Sequence, residues 1–147
     1  MIKEKSCGAV IYYEGKGTRL YLIEKMQLGH YSLCKGHVEN NETEIETALR
    51  EIKEETNLDV EIDLNFRKTI NYSPKTNTIK EVVYYIAKSF TNKTVAQQIE
   101  VSQIYWKTYE EAYELLTYES DKDILKSANN YLSNKTANTM DLKNVNG

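Results

Sequence analysis

Three glutamates, Glu51, Glu54 and Glu55, crowd one short stretch, "ALREIKEETNL", directly after Arg50. On a helix, acids three and four residues apart are neighbours, and each like-charged pair costs a few tenths of a kcal/mol. A divalent cation removes that penalty. Mg2+ takes carboxylate oxygens, keeps several waters and bridges to substrate phosphates. Glutamates clustered without histidine or cysteine partners suit that ion, with Mn2+ as a substitute. Without a cation, the same run is an ordinary solvated helix face.

The element that positions these acids reads as a helix. Ile45, Ala48, Leu49 and Ile52 recur at i, i+3, i+4 and i+7, the period of an amphipathic helix. At about 100° per residue, the three glutamates are expected on a second face, about a third of a turn from this stripe. Either Asn41 with Glu44 or Thr43 with Glu46 can form a capping box at its start. Asn57, tolerant of the left-handed conformation, ends it.

Strand signals surround this helix. "SCGAVIYY" and "LYLIEKM" flank the turn signal "EGKGT" and predict a hairpin. "LDVEIDLNF", "IKEVVYYIAKSF" and "EVSQIYWKT" read as further strands, and "SPKTNT" as a turn holding the one proline. "TYEEAYELLTY" and "DKDILKSANNYL" carry helical spacing, whereas residues 133–147 are polar and aperiodic and are expected to be a mobile tail. The pattern implies a mixed α/β domain over residues 1–132, with helices covering both faces of its sheet.

Composition narrows the class. A 147-residue chain with 40% apolar residues supports one core. Its 19 basic and 22 acidic residues, net charge −3, give no broad footprint for duplex nucleic acid. Cys7 and Cys34 lack metal-ligand spacing and suit reduced thiols in a cytoplasmic chain. No signal peptide or membrane span is expected from "MIKEKSCGAVIYY".

The wider spacing is more specific. Gly36, five residues, Glu42, seven residues, then Arg50-Glu51-Ile52-x-Glu54-Glu55-x-Asn57-Leu58 resembles the Nudix box, G-x5-E-x7-R-E-U-x-E-E-x-G-U with U apolar. The departure is Asn57 in place of the last glycine, a mild change where the backbone turns left-handed. The resemblance implies a Nudix-type α/β/α sandwich with a mixed β-sheet. It also implies metal-dependent hydrolysis of a pyrophosphate linkage in a nucleotide. On that resemblance Glu51, Glu54, Glu55 and the carbonyl of Gly36 are metal ligands, and Arg50, with Glu42, orients the acids. The general base is either a box glutamate or Glu100, on a later loop.

"KGHVE", "ETALREIKEET", "INYS" and "KEVVYYIA" are further similar to the asymmetrical diadenosine tetraphosphate hydrolases, which implies products ATP and AMP. Leu33-Cys34 departs from the proline pair common there before the lysine. A dinucleoside polyphosphate needs cations along its phosphates and flat faces for adenine. Lys35, His37 and Lys80 can supply the first, and Tyr31, Tyr72 or Tyr85 the second. With 12 tyrosines against two phenylalanines, most tyrosines must serve as core or strand residues. RNA 5′-pyrophosphohydrolase, nucleoside triphosphate pyrophosphohydrolase and a non-catalytic nucleotide-sensing module are the alternatives. The expected partner is a small nucleotide, not duplex nucleic acid or a membrane; the oligomeric state is not legible.

Overall fold

The computed structural model describes residues 1–96 and 99–146, with backbone alone from 137 onward. Strands β1 (Ile2–Gly15) and β2 (Thr18–Met26) form the expected hairpin, paired from Tyr12–Tyr21 to Gly15–Thr18. Its turn residues Lys16 and Gly17 both have positive φ, the handedness that matches strand twist. Short strands β3 (Tyr31–Ser32) and β4 (Cys34–His37) lead to helix α1 (Glu44–Thr56). Then follow β5 (Val60–Tyr72), β6 (Thr78–Ser89), β7 (Val101–Lys107), α2 (Tyr109–Leu115) and α3 (Glu119–Asn146).

These strands form one mixed sheet in the order β3-β2-β1-β6-β5, with β4 also paired to β1 and β7 to β2. β1 runs parallel to β6, and the other pairings are antiparallel. The two-residue period of strands sorts their side chains between two layers. Val10, Tyr21, Ile23, Val82, Tyr84 and Ile86 pack against Ala112, Leu116, Leu125 and Ala128 of the α2–α3 side. Cys7, Ala9, Ile11, Leu22, Val83, Tyr85 and Ala87 pack against Ala48 and Ile52 of α1. The result is the expected α/β/α arrangement. No helix among the described residues is long and apolar enough to cross a membrane.

Residues 133–146 differ from the sequence expectation: α3 continues through them to Asn146. The segment lacks apolar period, yet no glycine or proline interrupts it before Gly147, so nothing local stops a helix already nucleated by its packed first turns.

Candidate active site

Helix α1 starts at the Thr43–Glu46 capping box: the Glu46 amide donates to Thr43 Oγ1 at 3.1 Å and the Thr43 amide to Glu46 Oε1 at 2.9 Å. It ends at Asn57, whose φ of 65° is left-handed. Between the caps, the buried face comprises Thr47, Ala48, Ile52, Glu55 and Thr56, while Leu49 is 39% exposed. This corrects the expected stripe. Seven residues on, Glu55 comes back to within about 20° of Ala48, so it points inward and not onto a separate acidic face. The glutamates form a graded fan, with Glu55 4% exposed, Glu51 13% and Glu54 43%.

Two glycines permit this geometry. A Cβ on Gly36 would lie 1.9 Å from the Glu51 carboxyl carbon, so glycine leaves the Glu51 carboxylate its place against β4. A Cβ on Gly8 would meet the Cys34 carbonyl, at the β1–β4 pairing.

Arg50 organises the outer acids. Its Nε donates to Glu42 Oε2 at 2.6 Å and its Nη2 to Glu42 Oε1 at 3.0 Å, a bidentate clamp. Nη1 reaches Glu51 at 2.8 Å and Glu54 at 3.0 Å, and Nη2 also donates to the His37 carbonyl at 2.8 Å. The Arg50 hydrogen bonds hold the Glu42 carboxyl down at about 2. Glu46, one turn before Arg50, is engaged in the cap.

A cavity of about 350 Å3 collects most of the residues singled out in the sequence. Lys35, Gly36, His37, Glu51, Glu54, Glu55, Lys80 and Glu100 line it, together with Ser6, Met26 and Glu39. Burial, and then the nearby charge of Lys35, push the Lys80 ammonium below its usual range; an anion between them relieves that repulsion. The donor set fits a hard divalent ion: three carboxylates at graded depth face one cavity, which Gly36 also lines.

Glu24 went unnoticed in the sequence. It is 1% exposed, Oε2 has no hydrogen-bond partner, and its carboxyl sits with Cys34 and Glu55 behind the cavity wall. Burial raises the carboxyls of both Glu24 and Glu55 well above the ordinary range. The signal was available: Glu24 shares the strand parity of Leu22, which faces α1.

The tyrosines separate. Tyr72 lines a second cavity of about 400 Å3 with His30, Tyr118, Ile70 and Asp121, and Lys35 lines both cavities. His30 and Tyr118 stand with ring centroids 5.7 Å apart. Burial lifts the Asp121 carboxyl to about 6. Tyr85 lies instead in the α1-side layer, its hydroxyl donating to Glu44 at 2.8 Å. Tyr31 packs at the edge of the other layer beside Tyr105. Neither is among the residues lining the acidic cavity. His30, Tyr118 and Asp121 were missed because only folding brings the β2–β3 loop beside the start of α3.

A mixed sheet between helices, with an acidic helix walling a cleft that also holds two lysines, defines the class: the NUDIX domain model matches residues 4–128, and the chain belongs to that family of hydrolases as a pyrophosphohydrolase. Among individual proteins it is similar to bis(5'-nucleosyl)-tetraphosphatase [asymmetrical] of Mus musculus, 28% identical over 151 residues, spanning 90% of this chain and 98% of the mouse protein. The Caenorhabditis elegans protein of the same name is 31% identical over 134 residues, spanning 88% of this chain and 96% of its own. The crystal structure of a C. elegans Ap4A hydrolase binary complex aligns with a TM-score of 0.81 at 27% identity, covering 89% of this chain and 98% of that one.

Proposed function

We propose that the chain hydrolyses diadenosine tetraphosphate asymmetrically to ATP and AMP, with Mg2+. The observation that carries this reading is Lys35, which lines both the acidic cavity and the aromatic one. A nucleoside held in the second cavity thus extends its phosphates past a cation into the first.

In this reading the rings of Tyr72, Tyr118 and His30 hold one adenine, and Lys35 and Lys80 hold the phosphate chain. Glu51, Glu54, Glu55 and Gly36 would hold Mg2+, which supplies charge neutralisation at the phosphates and acidifies water. Arg50, fixed by Glu42, keeps Glu51 and Glu54 at the cavity wall. A carboxylate, either a box glutamate or Glu100 at the rim, takes the proton of the attacking water. The new P–O bond forms on the AMP phosphorus as the bond to the ATP oxygen breaks.

Ion-exchange separation of the products, with 18O water, tests the proposal. ATP and labelled AMP are expected. Two ADP molecules reject the asymmetric geometry. Faster cleavage of triphosphorylated RNA or of a nucleoside triphosphate at equal concentration replaces the substrate, and binding without turnover favours a sensing module.

A further inference from the structure

Beneath the acidic cleft, three elements bring one sulfur and two carboxylates together. Glu24 comes from β2, Cys34 from β4 and Glu55 from α1, and a ligand atom of each lies within 4.8 Å of the others. All three side chains are buried, Glu24 at 1%, Cys34 at 1% and Glu55 at 4% exposure. The Cys34 thiol donates to Glu55 Oε2 at 3.4 Å. Glu24 Oε2 has no hydrogen-bond partner among the described residues. A buried carboxylate oxygen without a hydrogen bond is costly, and the cost falls when a cation takes the vacant lone pairs.

We propose that Glu24, Cys34 and Glu55 form an inner site for a divalent transition ion such as Co2+, Zn2+, Fe2+ or Mn2+, which shares Glu55 with the oxygen-only outer set of Glu51 and Glu54 and differs from it by the thiolate. Mg2+ selects oxygen donors, whereas a thiolate draws softer first-row ions. Around a tetrahedral ion, such ligands stand roughly 3.5 Å apart, so modest side-chain rotation closes the present spacing. Glu55 lines the cleft and gives the ion its route inward, and Ser6, whose Oγ is also unpartnered, lines the same wall. The thiol and carboxylic protons leave as the ion enters.

The inner site does not rest on the proposed substrate, and its test is spectroscopic. Chelator-treated full-length chain is titrated anaerobically with CoCl2. A near-ultraviolet thiolate-to-cobalt charge-transfer band is expected to saturate at about one equivalent. It is expected to survive Cys7→Ser, vanish in Cys34→Ser, and require at least about tenfold more Co2+ in Glu24→Gln. Circular dichroism melts of each variant establish that it is folded. ZnCl2 is expected to displace the band at stoichiometric amounts and MgCl2 only in large excess. No band in wild type, or a band that survives Cys34→Ser, overturns the inner site. Nucleotide hydrolysis with MgCl2, measured on the same samples, separates the two readings: a band without hydrolysis defeats only the proposed function, and hydrolysis without a band defeats only the inner site.

Discussion

The two ends of α1 treat their acids in opposite ways. At its first turn, Glu44 accepts both Nε and Nη2 of Arg67 at 2.8 Å, Lys5 Nζ at 2.6 Å and the Tyr85 hydroxyl at 2.8 Å, and just ahead of it Glu42 is clamped by Arg50. These carboxyls are held below the ordinary range, first by their arginine hydrogen bonds. At the last turn, Glu55 meets a second buried acid and a thiol, and burial pushes it the other way. The N-terminal acids are satisfied by the protein and serve structure. The C-terminal acid meets a second acid and a thiol instead of a cation, and carboxyls raised in this way cluster at functional sites.

Four substitutions challenge that contrast. Glu55→Gln should cut kcat/KM for the preferred nucleotide by about 10²-fold or more, yet leave the melting temperature in chelator unchanged or higher. A lower melting temperature would put Glu55 among the braces. Arg50→Ala strands Glu42, Glu51 and Glu54 together and should cost about 2–3 kcal/mol in urea unfolding, somewhat below a fully buried network because Arg50 keeps some exposure. No loss would mean the clamp is ornamental.

Asp121 extends the contrast to the second cavity. Its folded pKa of about 6 lies above the ordinary 3.8, so its neutral form favours the fold. That stability is full below pH 3.8 and lost as pH rises through 6. Asp121→Asn should therefore be more stable than wild type by about 1–2 kcal/mol at pH 7, with the difference vanishing near pH 4. Glu44→Gln should behave inversely. The lowered carboxyl of Glu44 stabilises the fold above its unfolded pKa, and that contribution fades as pH falls through the lower folded value. The variant should lose about 1 kcal/mol at pH 7, discounted because Arg67 is 46% exposed, with the gap closing in acid. Thermal melts across pH check both.

Local signals were legible where a single element sets the answer. The β1–β2 hairpin, the α1 capping box and the stop at Asn57 follow from turn and cap chemistry within a few residues. So does the clustering of Gly36 with the box acids, since β4 and α1 are adjacent in the chain. The orientation of Glu55 was misread because Leu49 was counted in the buried stripe, tilting the assumed face away from it. Strand parity with Leu22 marks Glu24 only as inward-facing, and Asp121 carries no local mark; each acquires meaning from neighbours on other elements. Tyr85 shows the converse, since a tyrosine in a strand carries no mark of which sheet face it will take until the register with Ala9 on β1 is fixed.

The parallel pairing of β1 with β6 sets an order of events during synthesis. Ile2 is registered with Thr78 and Tyr12 with Lys88, so β1 waits for a partner synthesised well after it. At roughly 5–20 residues per second, a ribosome leaves one edge of β1 unmatched for several seconds, while its other edge closes early with β2 and β4. β1 is thus shielded on one side first by its own hairpin, and the sheet is completed only after the acidic helix has already emerged.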